Sequence, residues 1–214
     1  NGNFYPAVNI GTQTWTQKNL NVSRYKNGDV IPKVTDPTQW ANLTTGAWCW
    51  YNNDSATYGA TYGKLYNWYA VNDSRGLAPS GWHIPSDLEW GIMTKYLDKE
   101  VDTSCGCWSG LTIGSQLKST SGWRDNGNGN NNSLFFGLPA GNRYFNGTFD
   151  GIENYCHWWS ASGLGITDAL IRSLHYTYNS VMRQSSAKAF GIGVRVVRDN
   201  TTSSYLWSTG ATTP

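Results

Sequence analysis

Cysteine, histidine and acidic side chains are the residues of this chain that could carry catalysis, and their spacing matches no common catalytic motif. Cys156 and His157 are adjacent, and neighbours on a strand point to opposite faces, so the imidazole is not expected to activate the thiol. Asp150 and Glu153 could form a carboxylate pair of the glycosidase type, with solvated loop charges as the simpler interpretation. The G-x-S-x-G, P-loop and H-E-x-x-H motifs are absent. The sequence therefore predicts a protein that is not an enzyme.

Oxygen-rich side chains suited to Ca²⁺ occur in one loop rich in Asn and Gly, at residues 125–132. The candidate metal ligands are Asp125, Asn126, Asn128 and Asn130. An EF-hand loop has Gly at its sixth position and an acid at its twelfth, whereas these positions hold Asn130 and Phe136. A bound Ca²⁺ is one expectation for this loop, and turns held by Asx hydrogen bonds are the alternative. No other cofactor is expected.

Four cysteines restrict the disulfide options, namely Cys49, Cys105, Cys107 and Cys156. Cys105 and Cys107 are one residue apart, which we expect to be too tight for an easy mutual bridge. A disulfide from one of them to Cys156 is the favoured pairing, and four buried free thiols are the alternative. An even cysteine count in a chain of low charge favours an oxidising, extracellular compartment.

The segment 163–188 is the candidate ligand-binding surface, because it alternates along two strands joined by a turn at Asn179-Ser180. Alternation places Ser173 and His175 on one side, and Leu174, Tyr176 and Tyr178 on the other. Aromatic, Arg and Met side chains dominate binding hot spots, and an ordinary solvated sheet is the alternative. The candidate ligand contacts are Arg172, His175, Tyr176, Tyr178, Met182, Arg183 and Gln184, with Trp108 and Trp123 from loops.

The composition excludes several classes of partner. Charged residues and aromatic residues each make up 14% of the 214 residues, and the net charge is +2. No run of Lys and Arg indicates nucleic-acid binding, and no apolar run is long enough for a direct membrane span. Burial of aromatic side chains must therefore supply much of the stability. The tryptophans predicted to be core residues are Trp15, Trp68, Trp82, Trp90, Trp158 and Trp159.

The order of predicted elements is that of an α+β protein with long loops. Short strands in residues 1–24 precede two main helices at 62–72 and 86–98, with a third, short helix at 112–119. Ser86 and Glu89 form a capping box for the second helix, and Leu88, Ile92, Tyr96 and Leu97 line its apolar face. Strands are predicted at 134–138, 142–145, 155–160, 169–178, 181–184 and 190–198.

Seven ordered blocks resemble the Fibrobacter succinogenes major paralogous domain family and together extend over about residues 4–199. Each block alone is short, and their order gives the resemblance its specificity. The blocks are Ile10–Trp15, Cys49–Asp54, Tyr62–Ala70, Gly81–Asp87, Leu138–Gly141, Trp158–Ser162 and Gly191–Asp199.

The resemblance implies a C-type-lectin-like fold of the formylglycine-generating-enzyme type, with a mixed or antiparallel sheet, in residues 1–199. That enzyme relies on reactive cysteines near its C-terminal strands, and here no cysteine follows Cys156. Many family members have Cys where this chain has Val196, so their disulfide pairing is not transferred. Residues 200–214 are expected to be a linker or the start of an immunoglobulin-like repeat.

The resemblance also implies a location outside the cell or on the outer membrane of a Gram-negative, Bacteroidota-like bacterium. In lectin-like domains the stretch corresponding to 163–188 forms the exposed binding face. The expected function is thus a non-catalytic adhesion module that recognises a glycan or a surface protein. The alternative is a structural or assembly subunit of a surface fibre, with neighbouring domains or identical subunits as partners.

Overall fold

The computed structural model describes residues 4–199 and has the mixed α+β architecture that the sequence predicts. The helices are α1 (Pro37–Ala41), α2 (Ala60–Tyr62), α3 (Trp68–Val71), α4 (Asp87–Leu97) and α5 (Ile113–Leu117). The strands are β1 (Ala7–Ile10), β2 (Gln13–Thr16), β3 (Trp48–Cys49), β4 (Leu65–Tyr66), β5 (Trp82–His83), β6 (Trp108–Ser109), β7 (Ala140–Arg143), β8 (Phe149–Ile152), β9 (Tyr155–Leu164), β10 (Asp168–His175), β11 (Val181–Ala187) and β12 (Val197–Arg198). The predicted linker at 200–214 lies outside the described residues.

The largest sheet has six strands in the order β6-β11-β10-β9-β7-β8. Its neighbours are antiparallel except for β7 and β9, which pair in parallel. A second sheet has the order β1-β2-β12-β5, so the last strand returns beside the first hairpin, and Val197 pairs with Trp15. A third pair joins β3 to β4.

Two clusters of buried side chains cover opposite faces of the six-stranded sheet. Trp158 and Trp159 are adjacent on β9 and lie in different clusters, as the alternation of a strand requires. Trp158 stacks on Trp90 of α4 with 5.9 Å between ring centroids. Five of the six tryptophans predicted to be core residues are buried, and the sixth, Trp82, is half-buried.

Helix α4 begins where the capping box predicts. Ser86 Oγ accepts a hydrogen bond from Glu89 N, and the Glu89 carboxylate accepts one from Ser86 N. Three of the four residues of the predicted apolar face are nevertheless turned towards solvent, where Leu88, Ile92 and Tyr96 are 72%, 45% and 64% exposed. The fourth, Leu97, is half-buried and packs against the core.

The inner face of α4 carries Trp90, Gly91, Met93 and Thr94 instead. Trp90 and Met93 both pack into the core, beside the smaller Gly91 and Thr94. The large apolar residues spaced four apart on the other side of α4 therefore did not mark its buried side. An amphipathic helix normally buries its apolar stripe, whereas α4 leaves three large apolar side chains largely exposed, and we call them the α4 stripe.

Backbone conformation explains where predicted elements are interrupted. The helix predicted at 62–72 is replaced by the end of α2, by β4 and by α3. Gly63, with φ of +74°, ends α2, and Asn67, in an extended conformation, caps the start of α3. The strand predicted at 134–138 does not form, because Leu134 and Phe136 have φ of +57° and +55°. Strand β8 was not predicted, since it contains a glycine and an acid and alternates poorly.

The expected disulfide between Cys156 and the Cys105/Cys107 pair is wrong, because Cys105 and Cys107 are bonded to each other. Their segment precedes β6, which lies three strands away from Cys156 on β9. Three strand spacings are about 14 Å, which is twice the reach of a disulfide. Cys49 and Cys156 are free, and burial raises the pKa of both thiols, so they remain uncharged.

Asp87, the first residue of α4, anchors this helix to the sheet. Its Oδ1 lies 2.6 Å from Nη1 of Arg172, and its Oδ2 lies 2.9 Å from Nη2 of Arg183. The Arg172 side chain is only 2% exposed. Burial raises the pKa of Asp87, but the hydrogen bonds from Arg183 and Arg172 outweigh it and lower the pKa below 3.8.

We predict that Asp87→Asn lowers the free energy of unfolding by about 3–5 kcal/mol, since it leaves the Arg172 charge buried without a carboxylate. Urea unfolding of the variant and the wild type measures this difference. Glu100→Gln, which removes an exposed carboxylate, is the matched control and should change stability by less than about 0.5 kcal/mol. Equal losses in both variants would contradict the role given to Asp87.

His83 connects the end of the described chain to the start of α4. Its Nδ1 lies 2.7 Å from an oxygen of Asp199, and its Nε2 lies 2.7 Å from an oxygen of Glu89. Burial lowers the pKa of His83, but the hydrogen bonds to Glu89 and Asp199 outweigh it, so the pKa is raised above 6.5. The protonated imidazole donates to both carboxylates in this arrangement.

We predict that His83 stabilises the fold in acid more than in base. A raised pKa in the folded state gives a stabilisation that is complete below about 6.5 and is lost as the pH rises through the folded value. The stability difference between wild type and His83→Gln should therefore shrink between about pH 6 and pH 9. Chemical unfolding across that range measures it. His175→Gln is the control: the pKa of His175 is lowered, so the stability difference between wild type and this variant should not shrink over the same range. A constant stability difference for His83→Gln would refute the prediction.

Candidate functional site

One end of the six-stranded sheet presents a continuous row of side chains on a single face. Direct cross-strand partners are Trp108 with Met182, Met182 with Ser173, and Ser173 with His157. Side chains of directly opposed residues share a face, and residues two positions along each strand share it too. The aromatic–histidine patch, as we call this surface, consists of Trp108, Tyr155, His157, His175, Tyr178, Met182 and Gln184.

Ring contacts hold the patch together. The rings of Trp108 and Tyr178 have centroids 4.6 Å apart, and His175 lies 5.3 Å from Tyr178. On the neighbouring strand, Tyr155 lies 4.8 Å from His157. Tyr178 is 46% exposed, and the other members are half-buried. The patch thus has one prominent ring among partly covered rings and imidazoles.

A hydrogen-bond chain fixes the polar members of the patch. Gln184 Nε2 donates to Ser173 Oγ at 3.1 Å, and Ser173 Oγ lies 2.6 Å from His157 Nδ1. Ser173 is only 1% exposed, so this hydroxyl positions the imidazole and is not accessible as a nucleophile. Nδ1 is occupied by Ser173, and Nε2 of His157 has no hydrogen-bond partner among the described residues.

Both histidines of the patch are neutral at pH 7. Burial, followed by the nearby His175, lowers the pKa of His157 to about 4. Burial, followed by the nearby Lys118, lowers the pKa of His175. The seven side chains of the patch therefore carry no formal charge at neutral pH.

Lys118 supports the turn that displays Tyr178. Its Nζ donates to the carbonyl oxygens of His175, Tyr176 and Tyr178 at 3.3, 3.2 and 3.1 Å. Lys118 is 2% exposed, and burial lowers its pKa. Three carbonyl groups on one buried ammonium hold the backbone of the turn in a single conformation.

Residues 125–132, the predicted calcium loop, pack behind the same turn. A Cβ on Gly127 would lie 2.5 Å from the Tyr176 carbonyl oxygen, so only glycine fits there. Asn128 Oδ1 accepts from Trp123 N, Asn130 Oδ1 accepts from Asn132 N, and Asp125 pairs with Arg124. The Asn130 contact is an Asx turn, which was the alternative expectation, whereas those of Asn128 and Asp125 are not. Ca²⁺ binding at Asp125, Asn126, Asn128 and Asn130 stays a prediction.

The structure brings five of the nine predicted ligand contacts together and separates four. Trp108, His175, Tyr178, Met182 and Gln184 belong to the patch. Arg172 and Arg183 lie on the opposite face and bind Asp87, Tyr176 packs against the core, and Trp123 is 4% exposed with its indole donating to Gly137 O. Expecting Arg172 and Trp123 at the surface is therefore wrong.

The prediction for Arg172 was wrong because it took the Arg172 face of β10 to be the exposed one. The predicted alternation is confirmed within β10, with Arg172 and Leu174 on one face and Ser173 and His175 on the other. It is wrong for Tyr178, which lies with His175 because the strand ends at His175 and the chain turns. Arg172 was predicted to be a surface contact because Arg is frequent in binding hot spots, whereas here its charge is neutralised by Asp87 of α4. Tyr155 and His157 were missed, although pairing β9 with β10 in sequence would have placed them beside His175 and Ser173.

The carboxylate pair proposed from the sequence, Asp150 and Glu153, does not form a site in the described chain. Asp150 accepts hydrogen bonds from the hydroxyls of Tyr144 and Tyr155, and Glu153 takes no part in that arrangement. Within residues 4–199, no three His, Cys, Asp or Glu side chains are grouped as metal ligands. None of the helices in that range has the length and apolar character needed to cross a bilayer.

Comparisons with known proteins assign the family. No curated protein matches the chain, and no solved structure matches it. The family model for the Fibrobacter succinogenes major domain matches residues 8–198, from the first strand to the last. The chain therefore belongs to the Fibrobacter succinogenes major domain family.

Proposed function

We propose that the protein is a non-catalytic extracellular binding module that recognises an uncharged glycan through the aromatic–histidine patch. The observation that carries the proposal is the cross-strand row from Trp108 to His157, with Tyr178 projecting beside it. Aromatic rings supply apolar faces, while the hydroxyl, amide and imidazole groups supply hydrogen bonds. A sugar ring requires both, since its C–H faces are apolar and its edge is hydroxylated.

The absence of charged side chains in the patch favours an uncharged ligand. The patch has no charged side chain at pH 7, because His157 and His175 both have lowered pKa values. A charged ligand would lose hydration there without gaining an ion pair. Gln184 and Nε2 of His157 can instead exchange hydrogen bonds with sugar hydroxyls.

Preorganisation supports the same proposal. Lys118 fixes the turn at 175–178 through three carbonyl groups, and the remaining patch residues lie on paired strands. Rigid contact residues lose less conformational entropy when a ligand binds. The surface is thus suited to selective recognition with little rearrangement.

Further parts of the proposal depend on family resemblance. A C-type-lectin-like fold, with 163–188 as its binding face, agrees with the position of the patch on β10 and the following turn. A location on the outer surface of a Gram-negative bacterium, an adhesin role and the absence of catalysis belong to the same proposal. The buried, uncharged thiols of Cys49 and Cys156 support a non-catalytic role.

We predict that Tyr178→Ala weakens glycan binding by about tenfold or more, because the most exposed ring of the patch is lost. A glycan array of neutral and acidic sugars, followed by titration of the hits, measures the effect. Tyr96→Ala removes a tyrosine that is 64% exposed on α4 and is the matched control. Equal affinities for wild type and Tyr178→Ala, or binding limited to acidic glycans, would contradict the proposal.

A structural or assembly role is the second candidate, and the α4 stripe favours it. Leu88, Ile92 and Tyr96 are exposed next to a hollow of about 320 Å³ that α4 lines together with Thr103. The partner in this candidate is another copy of the chain. Three side chains form a small contact, so many copies in a fibre would have to add their contacts.

For this candidate we predict that Ile92→Ser reduces self-association, because it removes the central side chain of the stripe. Sedimentation at increasing protein concentration measures the average mass of the species. Val30→Ser is the control, since Val30 is 58% exposed elsewhere. A wild-type protein that sediments as a monomer at every concentration would exclude the second candidate in favour of the glycan-binding role.

A further inference from the structure

A cavity of about 300 Å³ opens between the N-terminal segment and the loop before β7. It is distinct from the aromatic–histidine patch, with which it shares no residue. Its volume lies at the lower end of the range in which proteins bind small molecules. We call it the cationic cavity. The residues that line it include Pro6, Lys18, Thr61, Phe136, Leu138 and Arg195.

Arg195 contributes a buried positive charge to this cavity. It is 1% exposed, and it donates to Asn19 Oδ1 and to the carbonyl oxygens of Thr16, Phe135 and Phe136 at 2.6–2.9 Å. These bonds use four of the five N–H donors of a guanidinium, and one on Nη2 is left among the described residues. Burial lowers the pKa of Arg195 to about 9, and no carboxylate in residues 4–199 compensates its charge.

Lys18 places a second cation at the mouth of the cavity. Its side chain is exposed, and within the described chain its ammonium group has no hydrogen-bond or ion-pair partner. No acidic residue lines the cavity. Both charges at this site are therefore positive, and an anion would be attracted to it from either side.

Phe136 forms an apolar wall at a conformational cost. Its φ of +55° lies in the left-handed region, which bulky residues rarely adopt. This conformation directs its carbonyl group to Arg195 and leaves its ring 40% exposed beside the cavity. Strain of this kind concentrates at ligand-binding sites, and Pro6 and Leu138 extend the apolar wall.

We propose that the cationic cavity binds a small organic carboxylate with an aromatic or aliphatic body. The carboxylate binds between Lys18 and the free N–H of Arg195, and the body packs on Phe136, Leu138 and Pro6. Thr61 supplies a hydroxyl group at the rim. A polyhydroxylated acid such as glucuronate fits less well, because the walls that would face its hydroxyl groups are apolar.

Benzoate is the test ligand, and its neutral analogue benzamide is the control. We expect benzoate to shift the ¹H–¹⁵N NMR signals of residues around Arg195, including its side-chain Nε–H. The expected dissociation constant is on the order of 1 mM, with benzamide and glucuronate at least about tenfold weaker. Equal binding of benzoate and benzamide, or no saturable shift with benzoate, would overturn the proposal.

Matched variants separate the binding site from the fold. Phe136→Gly removes the ring and suits the left-handed backbone, so benzoate affinity should fall about tenfold while the protein stays folded. Leu134→Gly is its control, because Leu134 has φ of +57° and does not line the cavity. Lys18→Gln should also weaken benzoate, whereas Lys99→Gln should not. Equal effects within either pair would refute the assignment, and neutral glycan binding at the patch should be unchanged throughout.

Discussion

Hydrogen bonds from buried cations to backbone carbonyl groups hold the irregular segments of this protein in place. Arg143, fully buried, donates to Val34 O, Thr35 O and Gly147 O, and Lys118 and Arg195 do the same for two other regions. Long loops have few carbonyl partners of their own, and a buried carbonyl group without a partner is costly. Arg143, Lys118 and Arg195 each satisfy two or more carbonyls without an acid, which suits a chain with only 14 acidic residues.

The two proposed ligand sites depend on this type of interaction in different ways. The ammonium group of Lys118 donates its hydrogen bonds to the turn behind the aromatic–histidine patch. Its charge is therefore buried, and the side chains of the patch are neutral. Arg195 uses four donors on Phe135, Phe136 and other partners and keeps one at the cationic cavity. Similar anchoring therefore produces a neutral surface in one place and a positive hollow in the other.

Features that depend on residues close in sequence could be predicted. Features that depend on contacts between distant elements could not. The capping box of Ser86 and Glu89 acts within one helical turn, and alternation on β10 acts between neighbours, so both were predicted correctly. The buried face of α4 and the burial of Arg172 depend on which elements meet. A single sequence does not record that Asp87 lies beside Arg172, 85 positions away.

The candidate site shows the same division between local and long-range information. Residue types in 163–188 indicated a binding surface, and five predicted contacts do share one face, yet Tyr155 and His157 enter it only because β9 pairs with β10. The Cys105–Cys107 bond was missed because one-residue spacing was taken as prohibitive, although the Cα atoms lie 5.2 Å apart, within the usual range.

Alternation along β9 and β10 also separates the proposed contact residues from the core residues. Tyr155, His157 and His175 face the patch, while the residues between them, such as Cys156 and Leu174, are buried in the core. Substitutions at the patch positions change ring faces and hydrogen-bonding groups without altering core volume, which is what stability depends on most strongly. In the proposed function, recognition and folding thus depend on alternating residues of the same strands, so the contact residues could change while the core residues are kept.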